Sequence, residues 1–407
     1  MAGKLKQSKK LNSVRFIKNL SEYIRYFVIP SRLQKFSDIL FRIIDNVNRF
    51  YSRIAHQKAD ITTFFSQSED TKITYRGDVY LKSYLRDRFR EMGMEDLKED
   101  VLLISDIDGR NNNRESIDIQ KVNVLDRARL QDSGFIVIPD WVRAVISLTD
   151  SAPQKRYQRS ARRAIKKLEE SEYSYHLVDS SKILDCFYHE FYRPYINDIY
   201  GESALFKEYS KLRLFSKKAY MINIKRENFT VGLVFILPSK KSVLYIYAAG
   251  IESSIDKATQ NIVQDAIYYY SIDAGLKNGF KHVDFGLNRS FLNDGVLLYK
   301  KKWGANFFIP GNAVYNIALN RDTEFIKSFL QNNPLFIIDK GHLSCLFYVK
   351  ERKPEIEEVE KLHKMWINCG ASKLIFISAS GFDFDLTEFS KTHRSIEIIH
   401  GDLGEYF

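Results

Sequence analysis

The chain has 407 residues, 44% of them hydrophobic and 14% aromatic, which excludes a globally disordered polymer and predicts two or three domains with sizeable cores. Its formal charge of +11 suggests nucleic-acid or membrane contact. Residues 1–60, however, hold 13 of the 62 basic and 4 of the 51 acidic side chains, a net of +9, so the other 347 residues carry 49 against 47, a net of +2. The basic character belongs to an N-terminal arm, and the body is nearly neutral. Cys186, Cys345 and Cys369 are scattered, in no CxxC or Cys/His spacing, so neither a disulfide framework nor a metal site is expected. No apolar run approaches the ~18–20 residues of a spanning helix. The basic N-terminus lacks an apolar h-region and Ala2 does not fit a myristoylation motif. A reducing, cytoplasmic setting is expected.

Residues 1–60 read as a helical arm. Leu33, Phe36, Leu40, Ile43, Val47, Phe50 and Ile54 recur at steps of three and four, close to an a/d seam, and Pro30-Ser31 marks a helix start. Lys35, Arg42 and Arg49 form a basic line beside Asp38 and Asp45. Such a helix packs on its own domain or on a twin in a homo-oligomer. The lesser alternatives are an anionic inner-membrane face contacted through residues 31–55 and, after that, RNA. The upstream stretch Val14, Ile17, Leu20, Ile24 and Phe27 is amphipathic too.

Residues 61–150 look mixed α/β, with short apolar runs at Val101–Ser105 and Gly134–Ile138 around a polar segment, Asp106–Ser116. After Pro153, Tyr157, Ala161, Ala164, Ile165 and Leu168 share one helix face, and seven basic residues between Lys155 and Lys167 occupy the rest without an acid. A strand at Tyr173–Val178 precedes a helix at about Leu184–Tyr195, which Pro194 is expected to end or kink, and a second helix at about Glu202–Phe215. Three β-rich runs follow at Ala219–Lys225, Thr230–Leu237 and Val243–Ala249, with hairpin turn residues between them. A long helix then buries Ile262, Val263, Ala266, Ile267, Tyr270 and Ala274 and is capped at Gly279. A strand at His282–Phe285 and a β region at Asn306–Leu319 close the set. A meander followed by a β-α-β crossover is an α+β mixed sheet. Residues 331–407 read as a small α/β appendage: strands at Leu335–Ile338, Leu343–Val349, Leu374–Ser378 and Ile396–Ile399, and a helix Ile356–Asn368 capped by Gly370. No motif there carries chemistry.

Three segments of residues 155–319 resemble the GNAT acyltransferase fold, in the branch that includes the FemAB peptidyl transferases. They are the basic helix Arg159-x-x-Arg162-Arg163-x-x-Lys166-Lys167, the helix Ala258–Gly279 leading into Val283-Asp284-Phe285-Gly286, and Asp294-Gly295-Val296-Leu297-Leu298-Tyr299-Lys300-Lys301-Lys302-Trp303-Gly304. The last is similar to the family's aromatic-Lys-x-x-aromatic-Gly signature. The expected partition is a 1–60 arm, a 61–150 region resembling half of a GNAT unit, a 151–330 GNAT-like domain and the 331–407 appendage. Ordinary GNAT enzymes hold pyrophosphate on a Gly-rich loop at a helix N-terminus; the corresponding stretch here, Glu252–Ala258, has no glycine.

The resemblance implies a bacterial N-acyltransferase acting on a cell-envelope precursor. An acyl or aminoacyl group passes to the amine of a phosphate-bearing, small-molecule or nucleotide-linked acceptor by direct attack. Acyl-CoA or aminoacyl-tRNA is the implied donor, and no cofactor is held permanently. Lys300 aligns with the family's lysine and is expected to stabilise an oxyanion or clamp a phosphate. In an extended segment Lys300 and Lys302 would face one way and Lys301 the other. Asp284 is placed to orient or deprotonate the amine, or else to cap the turn before Gly286. Arg159, Arg162 and Arg163 match phosphate geometry, although the same face could be simply solvated. Lys302, Trp303 and Tyr299 complete the lysine-rich segment, and Tyr195 ends the acceptor-side helix. The alternative is a non-catalytic GNAT-fold scaffold docked to a membrane or partner through its arm.

Overall fold

The structure is a computed structural model that describes residues 61–65, 72–92, 98–102, 118–149, 153–201, 204, 206–239, 242–311, 313, 315–386, 389 and 393–403. The arm, its heptads and the expected 31–55 membrane or self-association face lie outside them, as does the polar segment Asp106–Ser116. The described chain forms two compact units. One is built from Ile146–Gly286, and the other takes the chain up to Val145 together with Leu287–Phe407. The division therefore falls inside the expected 151–330 domain, and the expected cut at 330 falls inside the second unit.

The first stretch supplies strands β1 (Ile61–Phe65), β2 (Lys72–Arg76), β3 (Lys98–Leu102), β4 (Ile119–Asn123), β5 (Phe135–Pro139) and β6 (Val142–Ser147), with helices α1 (Val79–Glu91) and α2 (Arg127–Asp132). Asp78 starts α1 by accepting a hydrogen bond from Leu81 N at 2.9 Å, satisfying one of the orphan donors of a helix N-terminus. Leu81, Leu85 and Phe89 recur every four residues and are fully buried, giving α1 its apolar stripe.

The Ile146–Gly286 unit contains α3 (Arg159–Glu169), β7 (Tyr173–Asp179), α4 (Ser180–Cys186), a π-helical turn (Phe187–Tyr192), α5 (Arg193–Tyr200), α6 (Tyr209–Ser216), β8 (Tyr220–Arg226), β9 (Phe229–Ser239), β10 (Val243–Ile251), α7 (Lys257–Lys277) and most of β11 (His282–Asn288). Strands β7, β8, β9 and β10 form an antiparallel meander, and α7 crosses over so that β11 lies parallel to β10. Meander, crossover helix and parallel strand make this the GNAT-like α+β arrangement that the sequence implies. Pro194 does not end its helix. It has no N–H to donate and its ring crowds the preceding turn. The chain widens there instead, with Arg193 N bonding back five residues to Tyr188 O, before α5 continues. The second expected helix begins at Tyr209 rather than Glu202, after an extended Glu208. On α7 the expected inner face is buried apart from the half-buried Ile262, and Gly279 follows the helix in the left-handed region at φ +71°.

At Gly250 on β10 the sheet meets the π turn backbone to backbone. A β-carbon there would sit 2.5 Å from Phe191 C and 2.6 Å from Tyr192 N. Main chain cannot rotate aside, so Gly250→Ala is expected to destabilise by about 1–3 kcal/mol, read by urea unfolding. A loss under about 0.5 kcal/mol would mean that this packing is looser than described.

The last stretch supplies α8 (Gly295–Lys302), β12 (Asn306–Phe308), β13 (Tyr315–Asn320), α9 (Glu324–Asn332), β14 (Leu335–Asp339), β15 (His342–Val349), α10 (Ile356–Trp366), β16 (Leu374–Ser378) and β17 (Ile396–His400). The expected single β region at Asn306–Leu319 is thus two strands with different partners. β12 pairs with β6, while β13 sits between β4 and β5 in the sheet β3-β1-β2-β4-β13-β5. Sheet β14-β15-β16-β17 is the α/β appendage, and its core is continuous with that of the N-terminal strands. Ile73, Leu85 and Ile138 share one apolar cluster with Leu335, Leu346 and Ile375.

Candidate active site

In the Ile146–Gly286 unit the candidate site lies where β10 and β11 part. Their parallel pairing runs from Val243↔His282 to Tyr245↔Asp284 and stops, whereas β10 continues to Ile251. A bulge between Ile246 and Ala248 shifts the register of β10 against β9 at the same level, and bulges bend and re-aim a strand. Asp284, at the last paired position, is only 2% exposed. Its Oδ1 accepts from Gly286 N at 2.7 Å, closing a tight turn in which Gly286 takes φ +83°, a conformation that favours glycine. The carboxylate thus caps the turn before Gly286, one of the two roles expected for it, and is fixed in orientation.

On the other face of β11, toward α7, Tyr268 stacks edge-on against Phe285, with centroids 4.9 Å apart. Tyr195 and Tyr200 lie near Tyr268. Burial first, and then these neighbouring phenols, push the Tyr268 hydroxyl well above its ordinary range, and Tyr195 is raised by burial and by Tyr200. Tyr195 and Tyr268 remain neutral donors at physiological pH. Tyr195 thus belongs to an aromatic group whose other members carry no distinguishing mark in the sequence. The only signal for Tyr268 is its place in the run Tyr268-Tyr269-Tyr270.

Arg159, Arg162 and Arg163 project from α3, largely open to solvent, while Ala161 and Leu168 anchor its inner face. Arg162 Nε donates to Tyr157 O at 3.1 Å, which sets the start of the helix. Tyr269 OH donates to Glu169 at 2.9 Å, tying α3 to α7. At the head of α7, Asp256 accepts from Thr259 N at 3.0 Å and from Thr259 Oγ1 at 2.6 Å. Those bonds hold its carboxyl below the usual carboxylate range. The helix N-terminus that would receive a phosphate is therefore occupied by the chain's own anion.

The lysine-rich segment belongs to the other unit and is helical, not extended. Asp294 accepts from Leu297 N at 3.0 Å and caps α8, and Val296-Leu297-Leu298 continues the helix, so the expected alternation of 300 and 302 against 301 does not occur. Lys300 is 5% exposed and donates to Leu287 O at 3.1 Å, pinning the chain just beyond the unit boundary. Lys301 lies 4.4 Å over the Trp366 ring, and burial lowers its pKa. Lys302 covers Tyr299 at 4.0 Å, and Trp303 is fully buried.

No protein-family model matches the chain, and no curated protein does. Among solved structures it is similar to L-PGS from Bacillus licheniformis, with 14% identity over 65% of this chain and 86% of that one at a TM-score of 0.34. It is also similar to FemX, with 12% identity over 63% and 83% at 0.35. A GCN5-related N-acetyltransferase from Kribbella flavida matches with 11% identity over 51% and 70% at 0.26.

A further group of charges, not anticipated from the sequence, organises the unit that carries Lys300. Lys121 lies between Asp78 at 2.6 Å and Asp140 at 2.7 Å. Asp140 also receives Arg289, whose guanidinium stacks 3.9 Å over Trp141. Tyr84 OH and Arg88 converge on Asp294. Each of these cations and anions has an opposite partner, as burial demands. Among the described residues there is no cluster of three or more metal-ligating side chains and no helix long and apolar enough to cross a membrane.

Proposed function

We propose that the chain is an N-acyltransferase that passes an acyl or aminoacyl group to the amine of a phosphate-bearing acceptor, such as a cell-envelope precursor. The observation that carries this reading is the end of β10–β11 pairing at Tyr245↔Asp284, which leaves two strands that continue unpaired with each other and a buried, oriented carboxylate at one place. The acceptor amine attacks the donor carbonyl directly, the new C–N bond replaces the donor's ester or thioester bond, and the departing hydroxyl or thiol carries off the proton that the amine gives up. Asp284 orients the amine and takes its proton. Aminoacyl-tRNA suits the site better than acyl-CoA as donor, because Asp256 fills the head of α7 while α3 presents a row of arginines without an acid among them.

Native mass spectrometry and RNA extraction of freshly purified full-length protein identify the retained donor. Transfer is then assayed from charged tRNA and from acetyl-CoA to a nucleotide-linked peptide bearing a free lysine amine. Retained tRNA with aminoacyl product is the expected outcome; no transfer from either donor overturns the proposal. Replacing Arg159, Arg162 and Arg163 together with alanine is expected to flatten the log K against log salt slope for tRNA by roughly 2–3, about 0.7–0.9 for each phosphate no longer neutralised. An unchanged slope would assign α3 to another role.

A further inference from the structure

Between α9 and the appendage sheet lies a cavity of about 460 Å³ lined by Glu324, Lys327, Tyr348, Lys350, His400 and Asp402, together with Ala379 and Gly401. Its place in the fold is specific. Strands β15, β16 and β17 are parallel, and their carboxyl ends are in register: Val349 lies opposite Ser378, and Ser378 opposite His400. Lys350, Ala379 and Gly401 are the residues immediately after those ends. Open parallel sheets bind small molecules in the crevice outside their carboxyl termini, where backbone and loop groups converge, and the volume falls within the range of small-molecule sites.

The charges alternate along one line. Lys350 donates to Glu324 Oε2 at 2.8 Å, Glu324 Oε1 receives Lys327 at 3.0 Å, Lys327 reaches Asp402 Oδ2 at 2.5 Å, and Tyr348 OH donates to Asp402 Oδ1 at 3.3 Å. The series has a cation at one end and a carboxylate with a phenol at the other. Both terminal side chains keep access to solvent, 44% for Lys350 and 45% for Asp402. A lone anion would compete with Glu324 for the ammonium groups and sit beside Asp402, and a lone cation would face Lys350. A molecule with one charge of each sign, laid antiparallel to the series, meets a complement at both ends.

We infer that this cavity binds a small zwitterion, an α-amino acid or short peptide, with its carboxylate at Lys350 and its ammonium at Asp402. Hydrogen bonds from Lys350 and Lys327 hold Glu324 below the usual carboxylate range, and bonds to Asp402 and Glu324 raise Lys327. The site does not depend on the transfer reaction proposed above.

The test is calorimetric titration and thermal shift of the full chain with the standard amino acids and L-alanyl-L-alanine, beside N-acetyl-dialanine, dialanine amide and inorganic phosphate. At least one zwitterion should bind, and blocking either end of that ligand should weaken it tenfold or more. Lys350→Met, which leaves a largely exposed position apolar, should keep the unliganded melting temperature and lose the same tenfold. Binding of no zwitterion overturns the inference, as does equal affinity for end-blocked forms, tighter binding of phosphate, or wild-type affinity in a folded Lys350→Met protein.

Discussion

Lys121→Met is expected to destabilise the protein by about 3–5 kcal/mol, the range for removing one partner from a buried ion pair. Lys121 is 8% exposed and bonded to two carboxylates, one of them the 2%-exposed Asp140. Asp140 would keep Arg289, but Asp78 would lose its nearest cation while still capping α1. The double variant Asp78→Asn/Lys121→Met should therefore recover part of the loss, since asparagine caps a helix nearly as well as aspartate. Denaturant unfolding of the three proteins measures both effects. A cost below about 1 kcal/mol for the single variant would show the cluster to be hydrated in solution.

The pH dependence of that difference follows from the two shifts. Burial works against the charge on Asp78, but the Lys121 charge and hydrogen bond, with the Leu81 N–H, hold its pKa below the usual carboxylate range. Its contribution is present above the unfolded value of about 3.9 and is lost as pH falls through the depressed folded value. Burial would lower Lys121, and Asp140 and Asp78 more than offset it. Its contribution is present below about 10.4 and is lost as pH rises through the raised folded value. The wild-type advantage should accordingly be level between roughly pH 5 and 10 and shrink on either side.

This cluster also shows why parts of the molecule were not legible in the sequence. A lysine or aspartate that ends in a core reads, one residue at a time, like a solvated surface charge. Lys121 and Asp140 are drawn together by β13, which lies between β4 and β5 almost two hundred residues after β4, and Asp78 is brought in by pairing of β2 with β4. The same distance hid β4, whose partner β13 no local pattern announces. By contrast, α7 and the appendage strands could be read almost to the residue, because a 3.6-residue stripe or a short apolar run with flanking turns is local information. On α8 both kinds of signal were present. Three consecutive lysines drew attention as a chemical motif, while Asp294, an ordinary N-cap six residues upstream, decided the conformation. Helical geometry then buried Lys300 and Lys301 and left Lys302 against Tyr299. Asp284 could be named from sequence, as could Tyr195 in the aromatic group beside α7. Tyr268 could not, because nothing in a run of three tyrosines says which one turns toward β11.

Asp284→Asn is expected to lower kcat for aminoacyl transfer by about 10²–10⁴, the range attributed to a positioned general base. The acceptor KM should stay within about twofold, since the lost interaction is with a proton in flight rather than with the bound ground state. The substitution is well matched to the geometry. Asparagine keeps an oxygen that can accept from Gly286 N, so the turn at φ +83° and the position of Phe285 against Tyr268 are retained, and the melting temperature should move little. Asp284→Ala removes that acceptor as well. It should lose stability by about 1–3 kcal/mol, because Gly286 N would be left without its partner, while losing no more activity than asparagine does. The pair of variants separates the two roles open to this carboxylate. If it is a general base, both variants lose turnover and only alanine loses stability. If it only caps the turn, asparagine turns over like the parent, and the proton must leave the amine by another route.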